Sequence, residues 1–267
     1  MDYLDTQLQQ IQDDNLQEFI DPLIGSAVLG TGYLIGALAF FLWAGNEFAK
    51  SLKIDKKLSK RINEILGSGN KWIVHIYPSP TLNAFALGMG RHIFVTDGLK
   101  KTLNQRELEA VMLHEIHHNK SKDTYKSLAY KHSFFYLITY ITLISAIVSY
   151  PLAVLVFAVL IKSTNISHNI ILGKRLEIKA DKFTVEYGYG KDLVSALLKL
   201  EKHSQKAKRK DPCGKWCQLE NKVSEIIDEH PSTKKRVEVI LRKTGKVKGL
   251  SFVKIKDFIE KEFKQNG

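Results

Sequence analysis

Residues 23–44, a run of 22 without a single charge, constrain this chain more than any other feature of it. At about 1.5 Å rise per residue, a helix of that length covers a hydrocarbon core of about 30 Å. Gly25, Gly30, Gly32 and Gly36 lie inside the run, and membrane helices carry glycine more readily than soluble ones. The flanks differ in sign. Residues 1–49 hold no Lys or Arg but carry Asp2, Asp5, Asp13, Asp14, Glu18, Asp21 and Glu47. All 40 basic residues lie from Lys50 onward, beginning with Lys50, Lys53, Lys56, Lys57, Lys60 and Arg61. By the positive-inside rule, the sequence predicts an integral membrane protein with its N-terminus outside and residues 51–267 on the cytoplasmic side. A cleaved signal peptide fits poorly, because the region before the run is acidic and largely polar.

Composition narrows the rest. With 44% hydrophobic and 25% charged residues, the chain is neither a disordered polymer nor a simple membrane bundle. Its 267 residues allow one compact domain with additions. A net charge of +12 calls for an anionic partner. The bases are scattered, no nucleic-acid module is visible, and a membrane surface accounts for the excess, so no nucleic acid is expected. Cys213 and Cys217 lack two further ligands for a zinc site and read as free thiols or an occasional local disulfide.

The expected fold is mainly α with a small β-sheet. A basic amphipathic helix is expected over 52–66. Short apolar runs over 72–77, 83–87 and 92–96 predict two or three strands, with Asp97-Gly98 as a turn. Asn104, three residues before Glu107, marks a helix start, and that helix is expected to reach about Lys120. A second uncharged run of 29 residues, 133–161, is broken at Tyr150-Pro151. Helical patterns resume near 171–187, 191–206 and 231–242. The tail from Ser251 places Phe252, Ile255, Phe258, Ile259 and Phe263 at helical spacing, which reads as packing.

The chemistry begins at His114-Glu115-Ile116-His117-His118. On a helix, His114 and His118 stand one turn apart on one face, so both imidazoles can reach one zinc ion, while Glu115 can accept a proton from the attacking water. His117 is out of register and reads as a neighbour. A histidine-rich helix can also be mere surface, but the apolar face of Leu108, Val111 and Met112 predicts burial. Catalytic zinc needs a third protein ligand. Glu177-Ile178-Lys179-Ala180-Asp181 offers two carboxylates one turn apart, with Glu177 able to ligate and Asp181 able to orient a histidine. Taken alone, that segment would be an ordinary charged helix with Lys174, Arg175, Lys179 and Lys182 as partners.

Together with Asn83-Ala84-Phe85-Ala86-Leu87-Gly88 and His230-Pro231-Ser232-Thr233-Lys234-Lys235-Arg236, these segments resemble the HtpX-like membrane-bound zinc metallopeptidases, gluzincins related to the CAAX prenyl proteases and the Oma-type proteases. The likeness runs from about residue 70 to 242. It implies a zincin-like domain holding one zinc ion and an edge strand at Asn83, Ala84 and Phe85 that receives extended substrate. It places His230 or Arg236 near the reacting carbonyl, although His230-Pro231 is also a plain helix start. It further implies unfolded or membrane proteins as substrates, in a quality-control role. Many relatives carry two N-terminal spans where one is found here.

A shared metal constrains topology. If His118 and Glu177 hold one ion, the apolar run between them crosses the bilayer twice or not at all. Residues 133–162 are therefore expected to form a hydrophobic hairpin turning near Pro151, its second arm continuing into 163–172. A dip into the bilayer or an interfacial pair of helices meets the same condition. The sequence thus predicts a membrane-anchored zinc metalloendopeptidase: an anchor over 1–50 and a catalytic domain over 51–267, interrupted by the hairpin. A prenyl-protein processing enzyme or an inactive membrane scaffold are the alternatives; the first would need more spans than this chain supplies.

Overall fold

In the computed structural model of the protein, residues 45–86, 90–209 and 231–244 are described, with Asp21 and positions 24, 25, 28–33, 35, 36, 39, 40 and 43 of an N-terminal helix. The chain divides into two compact units, Met1–Phe41 with Leu128–Ile166, and Leu42–Ser127 with Ser167–Gly267.

The second unit is built on a mixed four-stranded sheet of order β1-β2-β4-β3. Its strands are β1 (Lys53–Ile54), β2 (Ile73–Tyr77), β3 (Ala84–Ala86) and β4 (His92–Thr96). β2 and β4 run parallel, with Val74 beside Ile93 and Ile76 beside Val95. β3 returns antiparallel along β4, pairing Phe85 with Phe94. Side chains alternate across a strand, and the two faces of this sheet differ accordingly. Val74, Ile93 and Val95, with Ile76 and Ala84 at the margin, belong to the main core. His75, Tyr77, Phe85 and Phe94 form an aromatic layer, with the Phe48 ring 5.1 Å from that of Phe94.

Among the described residues of this unit the helices are α1 (Lys56–Leu66), α2 (Asp97–Thr102), α3 (Gln105–Lys120), α6 (Lys174–Glu186), α7 (Gly190–Arg209) and α8 (Thr233–Lys243). α3 is the central one. It opens on a capping box: Asn104 Oδ1 accepts from the Glu107 N–H at 2.9 Å, and Glu107 Oε2 accepts from the Asn104 N–H at 2.8 Å. It buries Leu108, Ala110, Met112, Leu113 and Ile116 against Leu193, Ala196 and Leu197 of α7 and Val237, Ile240 and Leu241 of α8. Each large aliphatic side chain buried this way contributes about 1.5–3 kcal/mol relative to exposure.

Three local expectations change. The helix expected from 52 begins at Lys56, because the Asp55 side chain accepts from the Leu58 N–H and caps it. That frees Lys53–Ile54 to add the fourth strand, where two or three were expected. Asp97-Gly98 opens α2 instead of forming a free turn, with Thr96 as its cap. Gly98 is required there: a Cβ would sit 2.2 Å from the Pro80 carbonyl oxygen. Its N–H donates to Ser79 O at 3.0 Å, fixing the segment that leads into β3.

Between α3 and α6 the chain forms α4 (Asp123–Val148) and α5 (Tyr150–His168), then a π-helical turn, Asn169–Gly173. The expected break at Tyr150-Pro151 falls at Ser149. Ser149 donates its N–H to Ser145 O and accepts from the Ala153 N–H, closing one helix and opening the next. Pro151 then lies in the first turn, where a missing N–H costs nothing. Within the first unit, Thr31 Oγ1 and Tyr136 Oη are 3.0 Å apart, and the Tyr33 ring stacks on His132. His230, Cys213, Cys217, residues 87–89 and the aromatic tail from Ser251 lie outside the described residues.

Candidate metal centre

α3 and α6 bring three donors to one point. His114 Nε2 lies 3.1 Å from His118 Nε2, as the one-turn spacing requires. Glu177 of α6 closes the group, with Oε2 3.3 Å from His114 Nε2 and Oε1 3.1 Å from His118 Nε2. All three donors fall within 4.8 Å of one another. Separations of this size suit donors arranged about a first-row ion with bonds of about 2 Å.

The outer nitrogens of both rings are held by carboxylates. His114 Nδ1 lies 3.0 Å from Asp181 Oδ1, and His118 Nδ1 lies 3.0 Å from Asp123 Oδ2. A neutral imidazole donating Nδ1–H to a carboxylate turns the lone pair of Nε2 inward, the tautomer a metal needs. Two lone pairs 3.1 Å apart repel unless a proton or a cation lies between them. Protons answer this in the bare side chains. Burial opposes protonation of His118, but its bonds to Asp123 and Glu177 win and push its pKa up to about 10. His114 is raised as well, against its burial, by Asp181 and Glu177. A divalent cation would take over the role of those protons, so the residues present fit a zinc ion.

Arg236 of α8 completes the frame. Its guanidinium grips Asp181 with two bonds, Nε to Oδ2 at 2.9 Å and Nη2 to Oδ1 at 2.6 Å, and Nη1 lies 3.3 Å from Glu177 Oε2. Arg236 Nη2 also approaches His114 Nδ1 at 3.4 Å, a packing contact if that nitrogen donates to Asp181. Burial holds the Asp181 carboxyl up, yet His114 and Arg236 more than offset it, and the net shift is downward. Asp181 therefore stays an anion between two donors. Glu115 is placed differently. Burial pushes its carboxyl up against the pull of His114 and His118, which moves it toward the range of a general base working near neutral pH.

These groups border a cleft of about 310 Å³ whose lining includes Asn83, Ala84, His114, Glu115, Glu177 and Arg236. Among the described residues β3 pairs with β4 alone, leaving its other edge open. Thr96 anchors that edge: its Oγ1 accepts from the Asn83 N–H at 3.1 Å and lies 2.6 Å from the Thr81 carbonyl. Of the three expected strand residues, Asn83 and Ala84 line the cleft. The Phe85 side chain instead joins the aromatic layer, its ring 5.1 Å from that of Phe94. His117 donates to or accepts from Ser121 at 3.0 Å and packs on Phe183, away from the three donors. Asp123 is the residue that sequence reasoning missed. It stands five positions after His118, beyond helix spacing, and reaches back only because the chain turns sharply at Lys122, whose φ is +55°.

A small mixed sheet packed on a His-Glu-His-bearing helix, with a carboxylate from a second helix, is the arrangement of a gluzincin-type peptidase domain. The family model described as "Peptidase family M48" matches residues 49–244, and the chain belongs to that family. Within it the chain is HtpX-like. It is 34% identical to a protease HtpX homolog of Nitrosomonas europaea over 36% of this chain and 37% of that one. It is 27% identical to one from Lactobacillus helveticus over 62% of this chain and 65% of that one. A homolog from Campylobacter concisus is 28% identical over 66% and 69%. The chain thus spans less than two thirds of the first two relatives' lengths. The crystal structure of S. mikatae Ste24p shares the fold with a TM-score of 0.53 at 18% identity, covering 87% of this chain and 65% of that one.

Proposed function

We propose that the protein is a membrane-anchored, zinc-dependent metalloendopeptidase. The observation that carries this reading is the convergence of His114, His118 and Glu177 beside a cleft that His114 and Glu177 line and an open strand edge borders. Zinc, when bound, supplies Lewis-acid polarisation of the scissile carbonyl and makes water more acidic. The chain's own residues do the rest. Asn83 and Ala84 offer backbone to an extended substrate, which adds as a strand beside β3. Glu115 takes the proton of the attacking water and delivers it to the leaving amine. Asp181 and Asp123 hold the two imidazoles in place, and Arg236 holds Asp181 while adding positive charge at the cleft wall. Because a strand edge reads backbone, selection among sequences is loose, and unfolded or damaged membrane proteins are the natural substrates.

Membrane anchorage rests on the surface of the helices outside the catalytic unit. The helical stretch Tyr150–Glu186, which runs from α5 on into α6 of the catalytic unit, contains a segment long and apolar enough to cross a bilayer by length and composition. Val154, Leu155 and Val159 of α5 are more than half exposed, as are Val28, Leu29 and Tyr33 of the N-terminal helix. Apolar surface of that extent belongs in lipid or against a partner. In the proposed topology the N-terminus is outside, α4 and α5 form the hairpin, and the catalytic unit is cytoplasmic.

The test is cleavage of an unfolded model protein by detergent-purified full chain with zinc, comparing wild type with Glu115→Gln. Loss of the proton acceptor should lower turnover by about 10²–10⁴-fold while zinc content stays the same. Equal cleavage by both proteins would assign the activity to a contaminant.

A further inference from the structure

A strand edge reads backbone, so any reading of substrate side chains falls to the rest of the cleft lining. Between the strand edge and the metal centre that lining is apolar over most of its length. Val111 of α3 and Leu193, Leu197 and Leu200 of α7 supply it. The α7 residues follow at spacings of four and three, which is one face of a helix. Leu193 and Leu197 are buried in the main core, and Leu200 is half-buried at its margin. The same face continues into Glu201 and Ser204, which line the cleft as well. Outside the metal centre, Glu201 is the one charged group among the described residues of that lining.

Glu201 has a fixed place. Its Oε2 accepts from Thr233 Oγ1 at 2.9 Å. Thr233 stands three residues before Arg236 on α8, about 4.5 Å along the helix axis, and Arg236 Nη1 lies 3.3 Å from Glu177 Oε2. The Glu201 carboxylate is therefore tied to the cleft wall about one turn of α8 away from the residue that reaches Glu177. The ordinary reading is a tie between two helices, with an acid at the start of α8 that complements its dipole. That reading explains the bond to Thr233. It does not explain why the leucine face of α7 is left bordering a cleft on the way to that acid. A carboxylate accepts several bonds at once, so the tie to Thr233 and contact with a ligand are compatible.

We propose that this part of the cleft is a selectivity pocket for a lysine or arginine side chain beside the cleaved bond. Successive side chains of a strand point to opposite faces, so a substrate lying along β3 turns every second residue toward Val111 and α7. There the methylene stem packs on Val111, Leu197 and Leu200, and the cationic head reaches Glu201. The nearby Arg236 charge is balanced by Asp181, which it grips. An acidic side chain meets Glu201 and is rejected; a neutral apolar one gains the stem contacts alone. The pocket rests on the peptidase reading for its place beside the cut, and adds to it the chemistry of the one side chain that is read.

The experiment has a binding arm and a cleavage arm. In the first, zinc-loaded full chain carrying Glu115→Gln, in an uncharged detergent, is titrated against fluorescein-labelled Ala/Ser peptides by anisotropy. The peptides differ only at one central position: lysine, norleucine or glutamate. The lysine peptide should bind about tenfold more tightly than the norleucine one, the worth of one charged hydrogen bond, and the glutamate peptide most weakly. Adding Glu201→Gln should abolish the gap between lysine and norleucine, and Glu201→Lys should reverse the order of lysine and glutamate, with zinc content unchanged. In the second arm, cuts made in an unfolded model protein by the wild type are mapped by mass spectrometry. Lysine and arginine should be enriched at one fixed position beside the cut, and the enrichment should vanish in Glu201→Gln. Equal affinity for lysine and norleucine, a gap that survives Glu201→Gln, or no binding of any peptide would overturn the pocket. Cleavage without the enrichment would overturn its place beside the cut. A lysine preference in binding, with no cleavage by the wild type, would overturn the peptidase reading and leave the pocket standing.

Discussion

The two ends of α3 are held by different means. At its N-terminal end every acid has its donors. Glu107 accepts from Asn104, from Ser195 at 2.6 Å and from Lys199 at 2.8 Å. Glu109, 1% exposed, accepts from Arg61, Gln105 and Tyr189. Burial raises both carboxyls, but these partners outweigh it and hold them below the ordinary range. This end is complete as protein. At the other end, His114, His118 and Glu177 face one another, and the carboxylates beside the two imidazoles raise the pKa of both against their burial. One helix thus joins a closed anchor to a cluster whose charge balance leaves room for a cation.

The contrast can be broken most strongly at Glu177. Glu177→Ala should cost metal affinity more than any change to an outer partner, read as zinc retained after gel filtration, with the far end of the helix intact. Asp123→Asn removes only the charge behind His118 and should weaken zinc binding by about 10–100-fold, measured by competition with a chromogenic chelator. Chelation of the wild-type protein should raise amide exchange over residues 114–123 and leave 107–113 slow; uniform change along the helix would show the two ends to be one cooperative piece.

Smaller effects belong to the anchor. Glu107→Gln should lower stability by about 1–3 kcal/mol, seen as an earlier denaturation midpoint, with zinc affinity unchanged. The acid side offers a finer test in the chelated protein. The folded pKa values of Glu107 and Glu109 are depressed, so the stability they contribute is present above the unfolded value of about 4.3 and is lost as pH falls through the folded values. His118, raised to about 10, stays protonated throughout that window and adds no slope. Melting temperature should fall below about pH 4.5, less steeply in Glu107→Gln.

What could be read from the sequence follows from how local the cause is. Helix spacing alone puts His114 and His118 on one face, and Asn104 with Glu107 announces the helix start within four residues. The partner helix was legible as a pair of carboxylates at the same spacing. Asp123 was not, because a left-handed Lys122 brings it back and no periodicity encodes that conformation. β1 was hidden by its own lysine, which made two strand residues look like the start of a basic helix until Asp55 was seen as its cap. Phe85 was legible as part of a strand, but which face it took depended on β4 beside it. Arg236 was placed near the site through resemblance; that it grips Asp181 from α8 is a long-range fact no short pattern could supply.

Among the described residues the open edge of β3 runs over Ala84–Ala86, and the segment leading into it is tied down by Thr96 and by the close packing at Gly98. On the proposed reading, it offers little to a folded protein, whose backbone groups are already paired, and it does not reshape itself to recruit one. The susceptibility of a substrate is then set within the substrate, by the fraction of time a short stretch of it lies open. Where opening and closing are fast relative to cleavage, every 1.4 kcal/mol or so of local stability protects about tenfold. A protease built this way needs no list of targets: it ranks proteins by how often they come undone.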